Sequence, residues 1–175
     1  MRAIFLGLIA WIAAPASAEV VSASPNGFEV RETVPLVVPP DAAYQAFGEL
    51  PSWWDPKHTY SGDSANLRLT LVPGGCLCER IPKTGGGVEH MHVAYVDPGS
   101  QIVMTGALGP LLYEAATGVM DVEIKKIAGG SQLVLDYKVA GFANGGADKL
   151  APVVDGVLAA QVKRFRTYAT TRPKG

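Results

Sequence analysis

The chain has 175 residues, with 15 lysines and arginines against 16 aspartates and glutamates, so it carries almost no net charge. That length suits one domain around one core, and the charge balance excludes the basic footprint expected of a nucleic-acid-binding protein. The one dense basic run, KRFR at 163–166, lies on a predicted helix and reads as its solvated face.

The first eighteen residues, MRAIFLGLIAWIAAPASA, combine Arg2, an apolar run from Ala3 to Ala14 and a small-x-small site at Ala16-Ser17-Ala18. This is the pattern of a secretory signal peptide, too short for a comfortable membrane span. Residues 1–18 are therefore expected to be removed on export, with 19–175 left as a single domain, secreted and periplasmic. No later segment has about eighteen consecutive apolar residues, so no membrane span is expected after cleavage.

A polar lead, Ser22 to Gly27, precedes FEVRETVPLVV, whose alternation of Phe28, Val30, Val34 and Leu36 predicts a strand. Pro39-Pro40-Asp41 opens a short helix carrying Tyr44, Phe47 and Leu50 on one face, broken at Pro51. Ser52 to Pro56 has room for only a second helical turn. From Asn66 the period changes to two. NLRLTLV, CLCERI, VEHMHVAYV, QIVMTGAL, GVMDVEIKKI and SQLVLDYKVAG follow one another across glycine- and proline-rich turns. They predict six antiparallel strands with one buried face. The last pattern, from about Ala147 to Ala169, sets Leu150, Val154, Val157, Leu158, Gln161, Phe165 and Tyr168 on one helical stripe, with Pro152 confined to the first turn or a kink. The layout is α+β: β-α-α-β6-α.

Cys76 and Cys78 are the only cysteines. On a regular strand, residues two apart lie about 6.6 Å from each other, too far for a disulfide, whose Cβ atoms sit roughly 3.5–4.5 Å apart. Regular geometry leaves them as free thiols or metal ligands, and only a bulge would change that.

The order of elements is similar to the helix-grip fold of the START and Bet v 1-like (SRPBCC) superfamily. The stretches that carry the resemblance are WWDPKHTYSGD (53–63), PGGCLCE (73–79), GGGVEHMHVAYVDPG (85–99), GALGPL (106–111) and VDGVLAAQVKRF (154–165). They resemble bacterial members grouped with polyketide cyclases and activators of the Hsp90 ATPase, and span roughly residues 27–170. The resemblance implies a curved sheet wrapped around the C-terminal helix, with a cavity between them for a hydrophobic small molecule and no cofactor. A co-chaperone of Hsp90 acts in the cytosol, so the predicted export sets that branch aside. Fold alone assigns no chemistry.

Three functions fit these residues. In the first, the cavity binds a hydrophobic ligand through Trp53, Trp54, His58, Leu69, Glu79, His90, His92, Met120, Leu135, Tyr137, Val157, Gln161 and Phe165, with the tryptophans and His58 near its mouth. In the second, Glu79, His90 and Tyr137 perform acid–base chemistry of the cyclase or dehydratase kind, Glu79 having a pKa raised by burial. In the third, Cys76, Cys78, His90 and His92 hold zinc. The third ranks lowest, because two neighbouring strands offer ligands from one side only. Opposing residues of an antiparallel pair have a constant index sum. A sum of 170 brings the Cys and His sets onto one face, and 169 sets Glu79 opposite His90. The glycines of PKTGGG permit a bulge, so both registers stay open.

Overall fold

The computed structural model describes residues 17–172. The predicted signal peptide therefore lies almost wholly outside the described residues. Its expected cleavage point after Ala18 falls two residues into the first strand.

Eight strands form one antiparallel sheet: β1 (Ser17–Ser24), β2 (Gly27–Leu36), β3 (Leu67–Leu69), β4 (Cys76–Ile81), β5 (Gly86–Asp97), β6 (Gln101–Gly106), β7 (Ala115–Ile127) and β8 (Gly130–Phe142). Their order across the sheet is β1-β2-β8-β7-β6-β5-β4-β3. The meander from β3 to β8 thus closes against β2. Helix α1 (Pro40–Gly48) and a series of 3-10 turns at Leu50–Ser52, Pro56–His58 and Ser64–Asn66 cross from β2 to β3. Helix α2 (Ala151–Thr171) follows a last 3-10 turn and packs across the inner face, mainly over β2. This is an α+β, helix-grip-like fold, as the sequence pattern predicts. Among the described residues no helix is long and apolar enough to cross a membrane.

One strand escapes the sequence reading. β1 covers part of what reads as polar lead, and every one of its residues is exposed. It joins the edge of the sheet mainly through its backbone, pairing Val20 with Val30 and Ala23 with Phe28, with the Ser24 hydroxyl donating to the Gly27 carbonyl at 3.2 Å. An edge strand that buries nothing has no alternation to betray it. The third strand is also shorter than expected, because Val72 to Gly75 leave the ladder to form a turn.

The core follows from alternation. On β7, Ala116, Met120, Val122 and Ile124 point inward, and on β8 Leu133, Leu135, Tyr137 and Val139 do the same. Helix α2 presses Leu158, Val162, Phe165 and Ala169 onto them. Pro152 lies in its first turn, where the missing N–H costs no hydrogen bond. Phe165, Phe47 and Trp53 pack with ring centroids 5.3–5.6 Å apart, tying α2 to α1 and to the turn that follows it.

One inward residue of β2 breaks the apolar rule. Glu32 is 3% exposed, and its Oε1 has no partner. Burial, and secondarily the charge of Asp155 on α2, push its pKa up to about 8. The folded chain therefore holds this proton at neutral pH, where an unfolded chain has released it. The stability that comes from this group is complete below the unfolded value near 4.5 and is lost as pH rises through about 8. Glu32→Gln should flatten that decline, so that thermal denaturation from pH 5 to 9 shows the variant gaining on wild type as pH rises. A constant difference across the range would contradict the burial of an ionisable group here.

Candidate functional site

The site is built on the β4–β5 hairpin, where the ladder does not keep a single register. Cys76 pairs with His92 and Leu77 with Met91, but Cys78 pairs with Glu89 and Glu79 with Val88. The index sum drops from 168 to 167, so neither register expected from sequence occurs. His90 is the extra residue of a β-bulge, and this has two consequences. His90 and Met91, adjacent in sequence, are both buried instead of alternating. The ring of His90 is thereby aimed inward beside Glu79. Gly106, which pairs with Met91, permits the arrangement, since a Cβ there would lie 2.4 Å from the His90 carbonyl oxygen.

The hairpin also corrects the cysteine reading. Cys76 and Cys78 are joined in a disulfide, their Cα atoms 5.4 Å apart rather than at the regular strand spacing. The bridged pair flanks Leu77, where the β4–β5 register changes. They are neither free thiols nor metal ligands. His92 lies on the outer, exposed face, 3.8 Å from Glu89, while His90 faces inward. The four-residue zinc set is therefore overturned, and no group of three metal-ligating side chains occurs among the described residues.

Glu79 is 3% exposed and fully hydrogen-bonded. Its Oε1 accepts from the Ser61 N–H at 2.5 Å, and its Oε2 from the Tyr60 N–H at 3.1 Å and His90 Nε2 at 3.0 Å. Burial alone would raise its pKa. Hydrogen bonds from Ser61, the Tyr60 N–H and His90 outweigh burial and bring the pKa below the ordinary carboxylate value. The expected raised pKa is thus corrected: Glu79 is an ionised acceptor, not an acid. An ionised carboxylate can only accept, so in the neutral imidazole Nε2 carries the hydrogen and Nδ1 the lone pair. Nδ1 makes no hydrogen bond to the described residues and is not sealed from solvent.

His90 forms part of the wall of a cavity of about 440 Å³. One side is Val153, Val154, Val157 and Leu158 of α2; the other is Leu67 of β3 and Leu77 of β4. Its mouth is framed by Trp54, Lys57, His58, Thr59 and Tyr60 before β3 and by Leu108 to Pro110 and Tyr113 before β7. Tyr60 joins the two rims: its hydroxyl donates to the Gly109 carbonyl at 2.8 Å, and its ring lies 5.7 Å from that of His90. Trp54 stays half-buried with its Nε1–H donating to the His58 carbonyl at 3.0 Å.

Of the residues expected at the ligand, Trp54, His58, His90 and Val157 meet at this cavity. Glu79 stands behind His90 and touches the cavity through it. Trp53, Met120, Leu135, Gln161 and Phe165 surround a separate inner void of about 10 Å³. Trp53 is fixed there, its Nε1–H shared between the Ala46 and Phe47 carbonyls at 3.1 and 3.3 Å. Leu69 is buried in the core and lines neither space. Tyr137 is wholly buried, its hydroxyl donating to the Gly106 carbonyl at 3.1 Å and accepting the Leu108 N–H at 3.3 Å. Burial pushes its pKa up to about 12, and its bonds hold the end of β6 and Leu108 while Tyr137 itself does not line the cavity. Sequence reasoning did not single out Tyr60, Tyr113 or Leu108. They lie in turns, where no periodicity marks an inward residue.

No family model matches the chain, and no curated protein is significantly similar to it. Solved structures do share its fold. An uncharacterised protein from Rhizobium leguminosarum superposes with a TM-score of 0.62 at 16% identity, covering 89% of this chain and 98% of that one. A protein from Chromobacterium violaceum gives 0.56 at 15% identity, covering 86% and 100%. The di-domain ARO/CYC StfQ of the steffimycin biosynthetic pathway gives 0.54 at 15% identity, over 83% of this chain and 51% of that one. At such identities the likeness shows the fold alone. It establishes the helix-grip-like architecture and leaves the activity to be argued from the site.

Because Glu79 is stabilised as an anion, its contribution is present at neutral pH and is lost as pH falls below the ordinary carboxylate value and through its lowered folded value. Glu79→Gln should cost on the order of 2 kcal/mol or more at pH 7, and much less in acid. Hydrogen exchange should show faster exchange at the Tyr60 and Ser61 amides. Unchanged protection of both amides would mean that the carboxylate does not hold this segment.

Proposed function

We propose that this protein binds a hydrophobic small molecule in the cavity between the sheet and α2. The observation that carries this reading is the cavity itself: about 440 Å³, walled by aliphatic side chains, open at one end and furnished with few polar groups. Spaces of this kind and size bury a drug-sized ligand and orient it through one or two hydrogen bonds. The imidazole of His90, held by an anion behind it, supplies one such group. The signal-peptide pattern of residues 1–18 supports an exported, periplasmic setting, where the protein would carry, sequester or modify a lipid-like or aromatic compound.

Filling the cavity tests the proposal. Val157→Trp adds bulk on the α2 wall and leaves Glu79 and His90 themselves unsubstituted. It should abolish the fluorescence enhancement of 1-anilinonaphthalene-8-sulfonate while leaving the melting temperature within a few degrees of wild type. Undiminished dye binding by the folded variant would locate the binding elsewhere.

The Glu79–His90 pair favours a second reading, proton transfer without a cofactor. Its geometry matches a general base: an accessible lone-pair nitrogen in an apolar space, oriented by a hydrogen-bonded carboxylate. Such a base would take a proton from a carbon next to a carbonyl, the step common to cyclisations and dehydrations. Deuterium exchange at the α-carbons of 2-tetralone should then exceed the buffer rate and fall to it in His90→Ala. Exchange at the buffer rate in wild type would leave binding as the function.

A further inference from the structure

On the outer face of the sheet, the Cys76–Cys78 disulfide lies among charged side chains that the cavity does not use. Both cysteines are half-buried, while Leu77 between them and Glu79 after them point inward. The register places their neighbours. Cys76 is paired with His92 of β5, and Cys78 lies between Arg68 of β3 and Glu89 of β5. Arg68, Glu89 and His92 are all exposed, so they stand on the same outer face as the disulfide. Directly opposed residues bring their Cβ atoms to about 4.5–5.5 Å, which sets each of the three beside a cysteine. His92 Nδ1 lies 3.8 Å from Glu89 Oε1, so the cluster is contiguous. Arg80, two residues on from Cys78, is the next charge on this face, and its guanidinium turns to the Asn66 side chain at 3.4 Å.

A disulfide in this place does little as a brace. Disulfides stabilise largely by restricting the unfolded chain, and the gain grows with the length of the loop they close. Here one residue separates the cysteines and both belong to β4, so no second element is tied down. The surroundings favour a thiolate instead. A cation beside a cysteine stabilises the ionised sulfur, and reactive cysteines occupy partly exposed, electropositive places. Arg68 carries its charge throughout the working range of pH, and His92 can supply a charge or a proton. Glu89 is one acid against these two basic groups.

We propose that Cys76–Cys78 is a thiol–disulfide exchange site that oxidises a dithiol on the face of the sheet opposite the cavity. One thiolate of the dithiol bonds to Cys78 Sγ. The Cys76–Cys78 bond breaks, and Cys76 Sγ leaves with the electron pair and takes a proton from the His92 imidazolium. The second thiol of the substrate then gives its proton to His92 and attacks its partner sulfur in the mixed disulfide. This closes the substrate's own disulfide and expels the Cys78 thiolate beside Arg68. The dithiol loses two electrons and the cysteine pair gains the same two, ending as one thiol and one thiolate. The export expected of this chain would lead to a compartment in which disulfides persist, so that the oxidised pair is the resting form.

The test follows reduction of the full mature chain by excess dithiothreitol at pH 7. Samples are alkylated at intervals and weighed by mass spectrometry, with oxidised glutathione as the reference disulfide. Wild type should be reduced roughly tenfold faster than the reference. Arg68→Gln and His92→Gln should each slow reduction roughly two- to fivefold, and Glu89→Gln should speed it by a similar factor. Opposite signs are what electrostatic control of the sulfurs requires and what a general loosening of the hairpin would not give. In the reduced protein, thiolate ultraviolet absorbance should titrate below the ordinary thiol value of about 8.5 and move upward in Arg68→Gln. Reduction no faster than that of oxidised glutathione would overturn the proposal. So would three substitutions that change the rate in one direction or leave it unchanged.

Discussion

One helix must cover the inner face of an eight-stranded sheet, and it is too narrow to do so. Strands spaced about 4.8 Å apart make a sheet of this size roughly 34 Å across, while a helix with its side chains is about 10 Å wide. α2 meets the sheet most closely over β2 and β1, and α1 and the aromatic turn after it fill the space beside it. The inner face of β3 and β4, at the far edge, is left to the two rims formed by residues 54–60 and 108–113. The cavity is therefore a consequence of the architecture. Its chemistry depends on what the uncovered strands and the rims present to it.

They present a hydrogen-bonded chain that doubles as scaffold. The buried carboxylate of Glu79 needs donors, and it takes them from the two backbone amides of one rim and from an imidazole of the wall. A buried anion that is paired and hydrogen-bonded resists displacement, because removing any donor exposes the full desolvation cost. Tyr60 then passes the constraint to the other rim through Gly109. The same contacts that fix the mouth also orient the His90 ring. Within β4, the Cys76–Cys78 disulfide closes immediately before Glu79, on the strand segment where the register changes.

Four buried side-chain atoms lack a hydrogen-bond partner among the described residues, and two of them, on Glu32 and Gln161, meet that situation differently. Glu32 lies between β2 and α2 and meets its situation by holding a proton. Gln161 is neutral and has no such recourse; its Oε1 is satisfied by the Asp55 N–H and its Nε2 is left without a partner.

Sequence by itself determined the α+β order, the inward sets of β7 and β8, the stripe on α2 and the candidacy of Glu79, His90 and Trp54. Those follow from local periodicity, which depends only on how side chains project from a helix or a strand. It did not reach β1, whose pairing is made by backbone atoms, nor the β5 bulge, where one extra residue turned His90 inward and put His92 on the opposite face. It also expected Tyr137 to serve chemistry and Cys76 and Cys78 to stay apart. Which tyrosine reaches the cavity, which cysteine spacing can close, and which carboxylate is held as an anion depend on residues far apart in the chain. Only the tertiary structure brings Ser61, Glu79 and His90 together, and with them decides where the charge resides.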